Sequence, residues 1–86
     1  MRKVVMYTTA WCGYCERVRS LFRRKGIEFD EIDVETSAEA RREMLSRSGS
    51  RSVPQIFIGE HHVGGSDEVL ALEASGKLDA MLGANP

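Results

Sequence analysis

The chain has 86 residues with 12 basic and 13 acidic side chains, which leaves a net charge of −1 at neutral pH. This length suits one small domain, and we assign residues 1–86 to it. The balanced charge gives no reason to expect nucleic acid or an anionic membrane as a partner. No run approaches the roughly 20 apolar residues of a membrane span, and the apolar run near the start is too short for a signal peptide. We therefore expect a cytoplasmic protein.

The first half of the chain alternates between strand and helix patterns. Residues 4–7 form a short apolar run typical of a buried strand, and a helical pattern begins at Cys12. We expect Gly26 to end this helix, because glycine readily adopts the left-handed conformation found at helix ends. Apolar residues return over residues 27–34, which predicts a second strand.

A second helix is predicted after this strand. Residues 36–39 (TSAE) match a capping box, in which a hydroxyl and a carboxylate satisfy the first backbone N–H groups of a helix. The helical spacing predicts that Ala40, Met44 and Leu45 face the interior. We expect Gly49 to end the helix.

The second half of the chain predicts a hairpin followed by helices. Residues 55–58 form an apolar strand, and residues 61–63 can pair back across a tight turn. Ser66 is the predicted N-cap of the next helix, because acidic residues follow it in the first turn. A short last helix is predicted over residues 78–82. The order is β-α-β-α-β-β-α, which indicates an α/β fold without repeats or long linkers.

The chain contains two cysteines, Cys12 and Cys15, at the predicted start of the first helix. Helical side chains at this spacing are about 5–6 Å apart, and a disulfide needs Cα atoms about 4.4–6.8 Å apart. The positive helix end favours the thiolate of Cys12, which is the reactive species. A single pair lacks the second ligand pair of a structural zinc site, and neither His61 nor His62 has the usual partner spacing. The pattern therefore favours thiol–disulfide exchange in a reducing compartment.

Other charged residues are interpreted as surface. Adjacent strand residues point to opposite faces, so His61 and His62 make a poor metal pair and are assigned to a solvated hairpin. The basic residues along the first helix are interpreted as a mostly solvated face: Arg17, Arg19, Arg23, Arg24 and Lys25.

Several motifs occur together at characteristic spacings. They are CGYC at Cys12, the KGI and IDV segments within residues 25–34, SVPQIFI at residues 52–58 and GGSDE at residues 64–68. In this combination the chain resembles dithiol glutaredoxins of the bacterial type over nearly its whole length. The resemblance implies the thioredoxin fold, with a four-stranded mixed sheet flanked by helices. It also implies a cis peptide bond before Pro54.

The same resemblance implies a groove that binds glutathione. In the family, the residue at the position of Val53 pairs its backbone with the cysteinyl part of glutathione, and the segment at Ser66 and Asp67 holds the γ-glutamyl end. A helix start is a ready site for a carboxylate, which agrees with this assignment. Either Asp67 or Glu68 could take the ammonium group. The predicted glutathione-binding residues are Tyr14, Arg51, Ser52, Val53, Pro54, Gly65, Ser66 and Asp67.

Two positions depart from the family pattern. The family often carries a lysine shortly before the first cysteine, where it helps to bind the glycyl carboxylate, but residues 8–10 are uncharged here. Arg51 or Arg47 is the predicted substitute. The motif also has Gly13 where proline is more common, and glycine loosens the helix start.

We predict that the two thiols have different roles. Cys12, at the helix start, is the predicted nucleophile that attacks a mixed disulfide. Cys15, one turn inward, is the predicted resolving thiol that attacks Cys12 to release a bound target. The predicted partners are glutathione as co-substrate and target proteins that carry glutathionyl groups or disulfides, and the predicted state is a monomer.

Two alternatives stay open. Trp11 before Cys12 is a feature of thioredoxins, so the chain could be a reductant that a flavoprotein reductase recharges. Some glutaredoxins with glycine or serine in place of proline hold a [2Fe-2S] cluster between two subunits. In that arrangement the ligands are the first cysteine of each subunit, here Cys12, and two glutathiones, since thiolates ligate iron–sulfur clusters.

Overall fold

A computed structural model describes residues 1–83 of the chain as alternating strands and helices. The strands are β1 (Val4–Thr8), β2 (Asp30–Asp33), β3 (Gln55–Ile58) and β4 (His61–Gly64). The helices are α1 (Gly13–Arg24), α2 (Ala38–Ser48), α3 (Ser66–Ala74) and α4 (Leu78–Leu82). The predicted element order is confirmed, and α4 is the predicted short last helix.

The four strands form one mixed sheet in the order β2-β1-β3-β4. β1 pairs with β2 in parallel and with β3 in antiparallel orientation, and β4 returns antiparallel to β3. The β3–β4 pair contains a register shift between Ile56 and Phe57. The central strand β1 therefore runs directly toward the loop that precedes α1.

Helices cover both faces of the sheet. Side chains of β1 and β3 alternate between these faces and pack with the helices into two apolar clusters. The cluster on the α1 side also includes residues of α3 and α4: Val4, Met6, Val18, Leu21, Phe22, Ile27, Ile56, Ile58, Val69, Leu78 and Leu82. The cluster on the α2 side is smaller: Tyr7, Val34, Ala40, Met44 and Phe57. Burying one such large side chain contributes about 1.5–3 kcal/mol, so these clusters hold the three layers together.

The second strand is shorter than predicted. The prediction covered residues 27–34, but β2 spans only Asp30–Asp33. Ile27 N–H donates to Phe22 O at 2.9 Å, which ties this residue to the end of α1 instead of the sheet. Phe29 and Ile32 pack in opposite clusters, which explains why the sequence showed no clear alternation.

The start of α2 differs from the prediction by one residue. Ser37 is the N-cap, and its hydroxyl accepts from Ala40 N–H at 3.1 Å. The predicted capping box is wrong, because Thr36 Oγ1 donates instead to Asp33 Oδ2 at 3.0 Å. Gly49 ends the helix as predicted, with a φ of 73°.

Two predictions about side-chain orientation are also wrong. Leu45, expected to face the interior, is 38% exposed beside a surface depression. His62, assigned to a solvated hairpin, stacks on Phe57 with ring centroids 4.8 Å apart and bonds Gln55 Oε1 through Nε2 at 2.7 Å. His61 is exposed. Within residues 1–83, no helix combines the length and apolar character needed to cross a membrane.

Candidate active site

The two cysteines lie at the start of α1 and differ in exposure. Cys12 is the N-cap residue with extended backbone angles, and its Sγ accepts a hydrogen bond from Cys15 N–H at 3.1 Å. Both thiols are free, with Cys12 partly exposed and Cys15 fully buried. The geometry thus places a reachable sulfur and a hidden sulfur one turn apart.

The residues that flank Cys12 are exposed. The side chains of Trp11 and Tyr14 are 93% and 58% exposed. A methyl group added at Gly13 would meet no atom within 4 Å beyond its immediate surroundings in the chain. The start of α1 therefore presents two exposed aromatic side chains beside the partly exposed Cys12.

The segment before β3 approaches Cys12 from the opposite side. The Val53–Pro54 peptide bond is cis, as the resemblance implied, and Cys12 Sγ lies 3.9 Å from Val53 O. Because β3 begins at Gln55, the peptide groups of Val53 lie outside the strand-to-strand pairing. A methyl group added at Gly65 would lie 3.3 Å from Pro54 O, so α3 begins close against this segment.

A cavity of about 360 Å³ lies between these elements. Its lining combines α1, the segment before β3 and the start of α3: Tyr14, Arg17, Ser52, Val53, Pro54, Gly65, Ser66, Asp67 and Glu68. Seven of the eight residues predicted to bind glutathione are therefore brought together around one space, and Arg51 is the exception. Arg17 was missed as a lining residue, although its position three residues after Tyr14 on a helix was a usable signal.

The start of α3 carries the polar groups of this cavity. Gly65, and not the predicted Ser66, is the N-cap, and Glu68 Oε1 accepts from Gly65 N–H at 2.7 Å. Ser66 Oγ is buried and has no hydrogen-bond partner in residues 1–83. The Glu68 carboxylate is therefore engaged at the helix end, whereas Asp67 is exposed and forms no ion pair within the described residues.

A second depression adjoins the first at Val53. Its lining combines apolar side chains with three arginines: Thr9, Val34, Ala38, Arg41, Arg42, Leu45, Arg51 and Val53. Arg51 lies here and not in the first cavity. Arg47 lines neither space, because its guanidinium packs 4.0 Å from the Phe57 ring centroid and donates to Tyr7 OH at 2.9 Å. The sequence did not single out Arg41 and Arg42, which line the depression beside Arg51.

An arginine of α1 is buried behind the cysteines, contrary to the prediction of a solvated basic face. Arg19 is 8% exposed, and its Nε donates to Glu31 Oε2 at 2.7 Å. Its Nη2 donates to Thr9 O at 3.0 Å, in the loop before Cys12. Burial acts to raise the pKa of Glu31, but hydrogen bonds from Arg19 and Thr8 outweigh it and lower that pKa.

The surroundings of Cys15 keep its thiol protonated at neutral pH. Burial, together with the hydrogen bond to Cys12, raises the pKa of Cys15 to about 12. The backbone N–H of Thr9 and the charge of Arg19 act in the opposite direction. The buried sulfur of Cys15 must therefore lose its proton before it can attack another sulfur.

Comparisons with known proteins agree with this architecture. The family model described as Glutaredoxin matches residues 4–63. A protein named Glutaredoxin from Pseudomonas aeruginosa is 55% identical over 84 residues, which cover 98% of this chain and 100% of that protein.

Solved structures show the same fold. The crystal structure of a buckwheat glutaredoxin–glutathione complex has a TM-score of 0.86 and 34% identity, covering 96% of this chain and 78% of that one. A structure described as "Metal Binding of Glutaredoxins" has a TM-score of 0.73 and 54% identity, covering 95% of this chain and 89% of that one. These similarities confirm the resemblance and the fold class predicted from the sequence. The chain belongs to the glutaredoxin family of thiol–disulfide oxidoreductases, whose members share the thioredoxin fold.

Proposed function

We propose that the protein uses glutathione to reduce protein–glutathione mixed disulfides and protein disulfides. One observation carries the proposal: Ser66 lines the cavity that Val53 shares, and its buried Oγ has no partner among residues 1–83. Val53 O lies 3.9 Å from Cys12 Sγ. A buried, unsatisfied polar group costs about 1–3 kcal/mol. A ligand that accepts from this hydroxyl would therefore gain affinity by satisfying it.

The γ-glutamyl end of glutathione matches the polar groups at the start of α3. Its carboxylate can accept from the Ser66 hydroxyl and from the first backbone N–H groups of the helix, which have no partner inside the helix. Its ammonium group can pair with Asp67. The cavity volume of about 360 Å³ lies in the range of roughly 300–1,000 Å³ found for small-molecule sites. The buckwheat relative, whose structure is a glutathione complex, supports this ligand.

The other end of glutathione would extend across Val53 into the second depression. The peptide groups of Val53 lie outside the sheet pairing and could bind the cysteinyl backbone, which would hold its sulfur near Cys12 Sγ, 3.9 Å from Val53 O. The glycyl carboxylate would then lie among Arg41, Arg42 and Arg51, which all line the second depression. These arginines would replace the lysine that residues 8–10 lack.

The monothiol route needs only Cys12. Its thiolate attacks the glutathione sulfur of a mixed disulfide, the target leaves as a thiolate, and glutathione stays bonded to Cys12. A second glutathione thiolate then attacks the glutathionyl sulfur. Cys12 leaves as a thiolate, and oxidised glutathione is the product. The thiol of the second glutathione is oxidised as the target sulfur is reduced, whereas the first glutathione stays at the disulfide level throughout.

The dithiol route adds Cys15. Cys12 attacks a protein disulfide and becomes bonded to one target sulfur. Cys15 loses its proton and attacks Cys12 Sγ, the target sulfur leaves as a thiolate, and a Cys12–Cys15 disulfide forms. Glutathione later reduces that disulfide. Because attack needs a thiolate, the protonated state of Cys15 makes this step slower than attack by an exposed thiolate.

The proposal is tested with a glutathionylated peptide and two recycling systems. One contains glutathione, glutathione reductase and NADPH, and the other contains thioredoxin reductase and NADPH. We expect turnover only in the first system, no activity for Cys12→Ser, and retained activity for Cys15→Ser. Turnover only in the second system would overturn glutathione dependence and favour the thioredoxin-like alternative.

The binding assignment has its own test. Asp67→Asn should raise KM for the glutathionylated peptide about tenfold, because a charge-assisted hydrogen bond of about 1.5–3 kcal/mol is weakened. Glu60→Gln, an exposed change in the β3–β4 turn, is the matched control. Equal KM values for the two variants would remove Asp67 from the site.

A [2Fe-2S] cluster that bridges two copies is the second candidate function. A 54% identical relative is described by its metal binding, and Cys12 is partly exposed beside an open Gly13. One copy supplies one reachable thiolate, so the iron ligands would have to be completed by a second Cys12 and by glutathione. Anaerobic reconstitution with glutathione should give a coloured dimer, and a colourless monomer would count against it.

A further inference from the structure

The second depression concentrates positive charge that no carboxylate of its lining balances. Three of its eight lining residues are arginines, here called the arginine patch, and none is acidic: Arg41, Arg42 and Arg51. All three are exposed, and none takes part in the ion pairs of residues 1–83. The chain as a whole has a net charge of −1, so the patch does not reflect a general excess of basic residues.

One side of α2 forms most of this surface. Four lining residues belong to the helix and lie on one side of it, because they recur at spacings of three and four: Ala38, Arg41, Arg42 and Leu45. Leu45 is 38% exposed, although its side chain is apolar. Arg41 Nε donates to Val34 O at 3.1 Å, which anchors this guanidinium beside another lining residue. The helix therefore presents an apolar side chain together with two guanidinium groups.

This surface adjoins the reachable sulfur. Val53 lines both the second depression and the first cavity, and its carbonyl oxygen lies 3.9 Å from Cys12 Sγ. Thr9, three residues before Cys12, lines the second depression as well. A chain segment bound along the depression would therefore lead directly to the point at which Cys12 attacks a disulfide.

The glycyl end of glutathione would use only part of this surface. It carries no side chain and one carboxylate, whose two oxygens are matched by a single guanidinium. The depression has a volume of about 480 Å³, compared with about 360 Å³ for the first cavity. Three cations and an exposed leucine are better matched by a longer segment that carries several carboxylates and an apolar side chain.

We propose that the arginine patch docks an acidic segment of the protein whose disulfide Cys12 attacks, with an apolar side chain of that segment against Leu45. This inference rests on the dithiol route of the proposed function. Complementary charge of this kind speeds the encounter of two proteins and discriminates among partners. Glutathione binds after the target has left, so the patch serves the two partners in turn.

The docked protein is reduced in two steps. The Cys12 thiolate bonds to one sulfur of the target disulfide, and the other target sulfur leaves as a thiolate. Cys15 then loses its proton to solvent and its Sγ bonds to Cys12 Sγ, which releases the first target sulfur as a thiolate. Two thiols of this chain are oxidised to a disulfide as the target disulfide is reduced.

Two synthetic peptides with an intramolecular disulfide test the docking. Both have a leucine near one cysteine, flanked by two glutamates in one peptide and by two glutamines in the other. The reduced protein is mixed with limiting peptide in the absence of glutathione, and the appearance of peptide thiols gives the rate constant. Rates with dithiothreitol, a small neutral dithiol, correct for the intrinsic reactivity of each peptide. We expect the corrected rate to be about tenfold higher for the glutamate peptide at low ionic strength, and nearly equal at about 0.5 M salt.

Charge changes in the patch separate docking from folding. The double variant Arg42→Gln with Arg51→Gln should lower the ratio of the two rates about threefold, whereas Arg41 is kept because it bonds a backbone carbonyl. The double variant Arg42→Glu with Arg51→Glu should favour the glutamine peptide, because the patch then repels glutamate. Arg24→Gln removes an exposed arginine at the end of α1 and is the matched control, with the wild-type ratio expected.

The apolar contact has a separate variant. Leu45→Ala should slow the reduction of both peptides about threefold, because less apolar surface is buried on docking. A rate equal to that of the wild type would overturn the contact with Leu45.

The outcomes of the charge variants are distinguishable. A salt-sensitive preference for the glutamate peptide that reverses in Arg42→Glu with Arg51→Glu supports the proposal, since a loss of folding would not reverse a preference. Equal corrected rates in the wild type, or an equal loss of the ratio in Arg24→Gln, overturns it. Because glutathione is absent from this assay, failure here leaves the glutathione proposal to its own test with the two recycling systems.

Discussion

Two clusters of similar chemistry lie on opposite faces of the sheet, each with an arginine, a carboxylate and a hydroxyl. The α1-side cluster consists of Thr8, Arg19 and Glu31, and the α2-side cluster consists of Tyr7, Glu43 and Arg47. Each cluster contains one of two neighbouring residues of β1, Tyr7 or Thr8. The clusters lie on opposite faces because adjacent strand residues point to opposite faces. The comparison shows how burial and neighbouring contacts give the same three kinds of group different roles.

The difference lies in burial and in what each arginine contacts. The Arg19 side chain is 10% exposed and bonds the loop before Cys12, whereas the Arg47 side chain is 35% exposed and covers the Phe57 ring. A deeply buried charge costs more free energy to desolvate than a half-exposed one. The costlier cluster is the one that bonds the loop before Cys12, through Thr9 O. The α1-side cluster therefore supports that loop, and the α2-side cluster supports packing.

The largest expected effect tests the packing role of the α2 side. Phe57 is 2% exposed and contacts Tyr7, His62 and Arg47. Phe57→Ala should destabilise the fold by about 3–5 kcal/mol, because it leaves a cavity under these groups. Urea unfolding measures the loss.

The same variant sharpens the comparison through reduction of dithiobis(nitrobenzoate), an aromatic disulfide that releases a coloured thiolate when Cys12 attacks it. If the α2-side cluster only supports packing, the release rate of folded Phe57→Ala should equal the wild-type rate. A rate reduced as far as in Arg19→Met, which removes the bond to Thr9 O, would erase the distinction between the two clusters. Phe22→Ala, at the fully buried ring on the other face, is the control for general loss of packing.

A smaller effect is expected from Glu31→Gln in the α1-side cluster. The change removes the negative partner of Arg19 and should cost about 1–2 kcal/mol at neutral pH. Because the folded-state pKa of Glu31 is lowered, its contribution is present above the ordinary value of 4.5 and is lost as pH falls through the folded-state pKa. Unfolding of the variant should therefore depend less on acid pH than unfolding of the wild type.

The matched change in the other cluster is Glu43→Gln. The Glu43 side chain is 51% exposed, so the loss should be smaller, at most about 1 kcal/mol. Denaturation curves of both variants at several acid pH values provide the comparison. The reverse ranking, with Glu43→Gln the more harmful change, would contradict the assignment of the costlier pairing to the α1 side.

The sequence predicted the elements well because their signals are local. Short apolar runs mark β1 and β3, and glycines mark the ends of α1 and α2. The predictions failed where contacts between residues distant in the chain determine the position of a side chain. Arg19 looks like any surface residue of a basic helix until Glu31, 12 positions away, is placed beside it. The clue was available, since Thr8 and Glu31 lie on the same face of neighbouring strands, but using it required the strand register.

The candidate site was predicted through motifs and not through periodicity. Tyr14, the Ser52–Pro54 segment and the start of α3 are far apart in the chain, and only the family resemblance joined them before the structure placed them around one cavity. Arg51 could not be placed in this way, because a side chain in a loop can face either of two neighbouring depressions. Leu45 was misassigned because helical spacing predicts a face but not whether another element covers it.

The last expected effect concerns alkaline pH and the α2-side cluster. Burial and the hydrogen bond to Glu43 raise the pKa of Tyr7 above 10.0, although Arg47 acts in the opposite direction. A raised folded-state pKa means that stability is fully present below 10.0 and is lost as pH rises through the folded-state pKa. Tyr7→Phe should cost about 1 kcal/mol at neutral pH, because one buried hydroxyl loses its bonds. The variant should also lose less stability than the wild type on raising the pH above 10.0.

Acid should therefore weaken the α1-side cluster, and alkali should weaken the α2-side cluster. Thermal unfolding of Tyr7→Phe and Glu31→Gln at acid and at alkaline pH measures these two responses. If Tyr7→Phe were as sensitive to alkali as the wild type, the opposite pH responses of the two clusters would be refuted.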